Sequence, residues 1–371
     1  MQGQTPLNGL KVVELARILA GPWAGQVLAD LGAEVIKVEA PEGDDTRRWG
    51  PPFIEREGDR AAAYFHATNR GKRSVIADFR TPEGQTLVRE LVADADVVIE
   101  NFKLGGLKKY GLDYESLSAI NPRLVYCSIT GFGQNGPYAE RAGYDFLIQG
   151  MAGWMDLTGD PAGEPQKVGV AFADLFTGLY AVIGIQAALA ARAVTGRGQL
   201  VDMALLDCAV GVLANQGMNF LATGRAPKRL GNAHPNIAPY EVLPVADGSI
   251  ILAVGNDGQF RRFCTVIGQN ALGSDPRFAT NEARVAHRAE LRPLIVAELA
   301  RFTKAGILAA LEEATVPAGP INAVDEVFAD PQVQARGMRI EAEGIAGIRT
   351  PIRFSESALA EARPAPKLGQ G

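Results

Sequence analysis

The chain has 371 residues, 47% hydrophobic and 21% charged, with 37 Lys and Arg against 42 Asp and Glu for a formal charge of −5. That length allows a large core and two domains, and the acidic balance excludes a nucleic-acid partner, which needs a concentrated basic surface. Cys127, Cys208 and Cys264 form no CxxC pair, and His66, His234 and His287 lie far apart; a disulfide framework, a zinc site or any other metal is therefore not expected, and a reducing, cytoplasmic compartment is.

The opening "MQGQTPLNGL" has no basic region followed by an apolar stretch and does not read as a secretory signal. "LKVVEL" reads as a strand, "AGPWAGQVLADLGA" as a helix after a Gly-Pro entry, and "EVIKVEA" as a second strand, a βαβ unit that points to a parallel sheet. The alternation continues through strand "RSVIADF", helix "TPEGQTLVRELVADA" with Thr81, Pro82 and Glu83 at its start, and strands "DVVIEN" and "LVYCSITGFG". The first 150 or so residues are thus expected to form a doubly wound α/β domain. Glu39 ends the second strand where a ribose-binding acid could sit, but the first turn, "ARILAGPWAG", is not GxGxxG, which argues against a dehydrogenase. Lys37, Arg70, Lys72, Arg73, Lys103, Lys108 and Lys109 recur near strand and helix ends. They are either solvated surface charges or, if they converge on one face, a polyphosphate site.

From about 168 to 223 the pattern is long, apolar and helical, and its most apolar window, "GLYAVIGIQAALAARAV", is too short to span a bilayer and reads as a buried core helix. No membrane partner is expected. After Gly224 the composition shifts to "RAPKRLGNAHPNIAPYE", then a hairpin "EVLPVADGSIILAVG" with an Asp247-Gly248 turn, then helices to about 313. This predicts a large α/β domain over 1–225, a smaller inserted α+β domain over 226–325, and a return to the large domain over 326–371. The tail "ARPAPKLGQG" reads as an extended surface segment.

One acid is conspicuous in "VGVAFADLFTGLYA": Asp174, with no Lys or Arg between Lys167 and Arg192 to pair it. Burying an unpaired carboxylate costs several kcal/mol, so Asp174 is either the N-cap of the following helix or a working carboxylate. The glycine-dense "ITGFGQNGPYAERAGYDF" upstream either supplies N–H groups to an oxyanion or is a plain loop, and it contains the polar pair Tyr144 and Asp145.

Together, "PLNGLKVVELARILAGPWAGQVLADLGAEVIKVEAPEGDDTRRWGPPF", "NRGKRSVIADFRTPEG", "VIENFKLGGLKKYGLDY", "NPRLVYCSITGFGQNGPYAERAGYD" and "GVAFADLFTGLYAVIGIQAAL" resemble class III CoA-transferases of the CaiB/BaiF type, in order and with matching spacing over about residues 6–355. The family contains formyl-CoA:oxalate and succinyl-CoA:dicarboxylate transferases, carnitine CoA-transferase and α-methylacyl-CoA racemases. The resemblance, nearest to the succinyl-CoA:dicarboxylate, glutarate-type branch, implies CoA as the substrate thioester, no metal, and Asp174 in "ADLFTG" as the nucleophile. It implies CoA contacts at Ile18, Asn69, Arg70, Gly71, Lys72, Asn101, Phe102, Lys103, Lys109, Tyr144 and Asp145. It also implies a Rossmann-like large domain and an interlocked homodimer, whose active sites lie between the large domain of one subunit and the small domain of its partner.

Two departures narrow the reading. Tyr144-Asp145 stands where the racemases carry His-Asp; a phenol is a poor acid/base at neutral pH, which disfavours the alternative of a racemase or isomerase using Asp174 to move a proton. Leu19 stands where formyl-CoA transferases carry glutamine, and only "GNDGQF" echoes their glycine-rich lid, which weighs against oxalate. Arg17, Arg225, Arg229, His234 and Tyr240 are candidates for binding an acceptor carboxylate, or else are surface or interdomain polar packing.

Overall fold

A computed structural model describes residues 4–370. Six strands form one sheet: β1 (Lys11–Glu14), β2 (Glu34–Glu39), β3 (Arg73–Ile76), β4 (Val97–Glu100), β5 (Val125–Thr130) and β6 (Leu200–Ala204). The order is β3-β2-β1-β4-β5-β6 and every pairing is parallel, with Val12 opposite both Val35 and Val97. This is the strand order of doubly wound folds, and the order reverses between β1 and β4, the switch point outside whose carboxyl ends ligands bind. β4 and β5 are buried along their whole length, as expected of runs of Val and Ile covered on both faces.

Local signals account for the helices beside the early strands. Helix α1 (Ala20–Asp30) turns Ala20, Ala24, Val27 and Leu28 into the core. Helix α2 (Pro82–Ala93) starts as its Thr-Pro-Glu sequence predicts, with the Thr81 hydroxyl accepting the Gly84 N–H at 3.1 Å. Two further helices frame the site: α3 (Asp145–Met151) and α4 (Phe172–Thr195).

At 24 residues, α4 is long and apolar enough to cross a membrane by length and composition, so the expectation that it is too short is corrected. It packs in the core through Ala173, Thr177, Gly178, Ala181, Val182, Ile185 and Ala188. A Cβ at position 178 would stand 2.7 Å from the Ala20 carbonyl oxygen, so glycine is what lets α4 cross α1 this closely. The other face of α4 leaves Leu179, Tyr180 and Ile183 exposed.

Strand β6 lies inside the stretch read as helical. Val201 and Met203 pack onto the core while Asp202 alternates with them, and the open edge of β5 supplies the hydrogen bonds, so tertiary context overrides helical propensity. Two hairpins, Phe53–Arg56 with Asp59–Ala62 and Arg339–Ala342 with Ile345–Ile348, are likewise absent from the sequence reading. The tail does not lie free. Pro364, Ala365 and Pro366 are buried, the Gly71 N–H donates to the Arg363 carbonyl at 3.1 Å, and the Ser74 N–H donates to the Gln370 carbonyl at 3.1 Å.

The chain divides into two compact units, one running to Trp154 and including Lys167–Arg225 and the residues from Pro331 onward, the other made of Met155–Gln166 and Ala226–Asp330. The composition shift at Gly224 marks the second unit's main segment but not the 155–166 excursion. In this unit Tyr240–Val245 and Gly248–Ala253 pair antiparallel, with Ala318–Gly319 on the outer edge. Val245 pairs with Gly248, so the hairpin loop is Ala246–Asp247 and Gly248 opens the second strand. Leu243, Ile250, Phe260, Phe263 and Phe278 form its core.

Candidate active site

A cavity of about 440 Å³ opens at the carboxyl ends of β1, β4 and β5, at the switch point. Ile18 and Arg17 reach it from the loop after β1, Asn101, Phe102 and Lys103 from the loop after β4, and Lys109 from the turn beyond. Tyr144 and Asp174 complete the set of expected residues that the fold brings together here. The glycine-rich segment closes one side because Gly131 and Gly143 pass in close contact: a Cβ on Gly131 would stand 2.6 Å from the Gly143 Cα.

Asp174 is the third residue of α4 and is half-buried. It is not the helix cap: Ala171 holds that position without a side-chain cap, and the Ala173 N–H donates instead to Asp145 Oδ1 at 2.9 Å. The second Asp145 oxygen accepts from Gln149 Nε2 at 2.7 Å. Burial first, and the charge of Asp145 second, push the Asp174 carboxyl up to about 7, and no cation among the described residues draws it down. The Tyr64 phenol feels the same charges; burial, then Asp174, Asp145 and Asp44, push it up to about 12.

Cations ring the cavity. Arg17 pairs with Asp45 at 2.9 Å, Lys109 lies over the Tyr110 ring at 4.7 Å, and Arg141 over the Tyr138 ring at 4.5 Å. Arg141 and Tyr64 were missed by the sequence reading. Arg141 sits in the quoted glycine-rich segment but has no local feature distinguishing it from a surface charge, and Tyr64 follows a hairpin the sequence did not announce.

Asn69, Arg70, Gly71 and Lys72 do not line this cavity. The Lys72 ammonium donates to Glu14 Oε1, the Pro22 carbonyl and Asn69 Oδ1 at 2.9, 2.8 and 2.8 Å, and burial pushes its pKa down to about 8. Asn69 Nδ2 donates to the Phe65 carbonyl at 2.9 Å, and Arg70 pairs with Asp30 at 2.5 Å. Gly71 takes φ +79° and is tied to the tail. These four residues tether the start of β3. Glu39 is likewise not a ribose acid: it holds Arg47 at 2.8 and 2.7 Å and Ser74 at 2.6 Å.

Of the acceptor candidates, Arg17 lines the cavity, and the Arg225 backbone N–H donates to Thr223 Oγ1 at 3.2 Å. In the second unit, Arg229 donates to the carbonyls of Asp156, Asp160 and Gly163, and the His234 and Tyr240 rings lie with centroids 5.2 Å apart, tilted at 56°. "GNDGQF" is a helix start there rather than a lid: Asn256 Oδ1 accepts the Gln259 N–H at 2.9 Å.

The fold and cavity define a doubly wound α/β protein that presents one unpaired carboxylate in a cation-ringed switch-point pocket. Residues 7–371 match the family described as CoA-transferase family III, and the chain belongs to that family of enzymes. It is 62% identical to the succinate–glutarate CoA-transferase of Agrobacterium fabrum, over 98% of this chain and 93% of that protein. It is 41% identical to the succinyl-CoA:glutarate CoA-transferase of Homo sapiens, over 100% of this chain and 85% of that protein. The crystal structure of a CaiB/BaiF family protein from Brucella suis superposes with a TM-score of 0.90 at 67% identity, covering 100% of this chain and 97% of that one.

Proposed function

We propose that the protein moves CoA from an acyl-CoA thioester, such as succinyl-CoA, to a free dicarboxylic acid of the glutarate type. The observation that carries the reading is Asp174, a half-buried carboxylate with a raised pKa and no cation partner among the described residues, lining a pocket ringed by Arg17, Lys103, Lys109 and Arg141. The names of the relatives support the donor and acceptor. The cations suit the phosphates of CoA, and the pocket lies where doubly wound folds bind such ligands.

A carboxylate withdrawn from water is a stronger nucleophile than a hydrated one, and a covalent route divides one difficult exchange into easier steps. Ionised Asp174 attacks the donor carbonyl carbon, the C–S bond breaks, and CoA leaves as thiolate from a mixed anhydride. Asp174 then accepts the thiolate at its own acyl carbon, which expels the donor acid as carboxylate and leaves an aspartyl-CoA thioester. The acceptor carboxylate attacks that thioester, giving a second anhydride and thiolate, and thiolate attack on the acceptor carbonyl restores Asp174 as carboxylate. No proton is gained or lost over the cycle. Backbone N–H groups of the glycine-rich segment are the proposed oxyanion donors, each contributing roughly 3–4 kcal/mol.

The working form is further proposed to be an interlocked homodimer in the cytoplasm. The exposed apolar face of α4, with Leu179, Tyr180 and Ile183, supports a buried interface, and three free, buried cysteines suit a reducing compartment. The test incubates the purified protein with succinyl-CoA and a panel of mono- and dicarboxylic acids, with mass spectrometry for new CoA thioesters and Asp174→Ala as control. A new thioester absent from the variant supports transfer through Asp174. No exchange, together with deuterium entering the α-carbon of recovered thioester in D2O, would favour the isomerase reading instead.

A further inference from the structure

Ile18 lines the active-site cavity with φ at +74°. A β-branched residue in the left-handed region costs of order 1–3 kcal/mol and persists only where its surroundings over-determine it. Here they do, over three consecutive residues. Lys37 Nζ donates to the Ala16 carbonyl at 2.9 Å. Asn101 grips both sides of the next residue: its Oδ1 accepts the Arg17 N–H at 2.9 Å and its Nδ2 donates to the Arg17 carbonyl at 2.6 Å. The Ile18 N–H points at both Asp44 oxygens, at 3.3 and 3.4 Å.

The outer ends of these contacts are themselves fixed. Asp44 pairs with Lys37 at 2.9 Å and accepts from Thr46 N and Oγ1 at 3.0 and 2.8 Å, and the side chains of Lys37 and Asp44 are fully buried. A simple strand-to-helix connection does not need this many side-chain anchors. The anchors come from β2 and the segment that follows it and from the end of β4, the strands flanking β1, and converge on the short loop that forms one wall of the Asp174 cavity.

We infer that Asn101 is a positioning residue, whose amide spans the Arg17 backbone and holds the Ala16–Ile18 loop in its left-handed turn at the pocket wall. The amide's oxygen and nitrogen are each engaged by the chain itself, which gives Asn101 a role that needs no contact with CoA. The kinetic consequence rests on the transfer activity proposed above, whereas the conformational one does not.

The test uses the full-length protein and the variants Asn101→Ala, Ile18→Gly and the pair. Hydrogen exchange at the Arg17 and Ile18 amides, read without substrate, is expected to speed up by at least about tenfold in Asn101→Ala. Turnover is expected to fall roughly 30–100-fold through kcat, as small misplacements at active sites do, with KM for acyl-CoA within about threefold. Glycine takes the same φ without strain, so on the Ile18→Gly background Asn101→Ala is expected to cost less than about fivefold, a coupling that independent contacts would not give. A rise in the CoA dissociation constant with kcat intact, additive penalties in the double variant, or unchanged amide exchange would each overturn the proposal. If Asn101→Ala does not fold, Asn101→Asp, which keeps the acceptor for Arg17 and removes the donor, is read by the same exchange. If the wild-type protein transfers no CoA, the transfer reading fails, and amide exchange with CoA affinity still decides the role of Asn101.

Discussion

Asp145, the first residue of α3, accepts the Ala173 N–H through Oδ1 at 2.9 Å, one residue before Asp174, so two carboxylates meet at the first turn of α4. One satisfies the helix backbone, and its charge helps keep the other protonated up to about pH 7. Asp145 takes up a backbone N–H of the first turn of α4, which leaves the Asp174 carboxylate without that bond and open to the role proposed for it.

In the proposed mechanism Asp174 attacks as the carboxylate. With its pKa pushed up to about 7, kcat/KM for acyl-CoA is expected to rise with pH through that region and then level off. A pH–rate profile between 5 and 9 checks this; a rate already flat from pH 5 upward would contradict it.

Asp145→Asn keeps an oxygen for the Ala173 N–H and removes the charge. The limb of the profile then moves to lower pH, by up to about one unit, because a like charge nearby disfavours ionisation. It stays above the ordinary value of 3.8, since burial is the larger cause. A shift to higher pH would show that Asp145 acts on Asp174 by some route other than charge.

Asp174→Asn is expected to lose turnover by at least about 10³-fold and to gain stability in alkaline buffer. The raised pKa means the folded protein holds a proton that the unfolded chain releases above 3.8. Stability from this group is therefore present at low pH and lost as pH rises through about 7. The variant avoids that loss, by about 1–3 kcal/mol above pH 7 after allowance for partial exposure. Denaturant melts at pH 5.5 and pH 8.5 compare the two; a variant less stable than wild type at the higher pH would contradict it.

The same contrast between local and distant causes explains what could be read from the chain. β1 to β5 and α2 were legible because β-branched runs and the Thr81-Pro82-Glu83 start act within a few residues. β6 was not, because "LVDMA" is a strand only beside the edge of β5. Asp174 was conspicuous through its own apolar flanks. The fate of Lys72 was hidden because its partner Glu14 lies 58 residues away in the chain, and nothing near Arg141 or Tyr64 announced that the fold would bring one into the cavity and the other within range of Asp174.

Lys72 therefore makes a discriminating test. Lys72→Met removes one of the two ammonium groups on buried Glu14, leaving Lys37 at 3.1 Å. Breaking a buried pair from one side typically costs 3–5 kcal/mol, and with Lys37 remaining the loss is expected at about 3 kcal/mol. Thermal melts should report that loss while the folded protein binds CoA within about threefold of wild type, since the side chain points into the protein. A stable variant with weakened CoA binding would restore Lys72 to the ligand.

Arg141 is the converse case: exposed, stacked on Tyr138 and in no ion pair among the described residues, at the rim of the cavity. A guanidinium so placed costs the apo protein little to hold and is open to a phosphate, with which a charge-assisted bond contributes roughly 1.5–3 kcal/mol. Arg141→Gln is thus expected to raise KM for acyl-CoA by about tenfold with kcat within twofold, and to flatten the rise of KM with salt, because one screened contact has gone. Stability should be unchanged within about 0.5 kcal/mol, as for a surface substitution outside any network. The expected pair of results would separate the two basic residues by role, Lys72 in the fold beneath the switch point and Arg141 in ligand binding above it. An unchanged KM and salt dependence in Arg141→Gln would move phosphate recognition to Lys103 and Lys109.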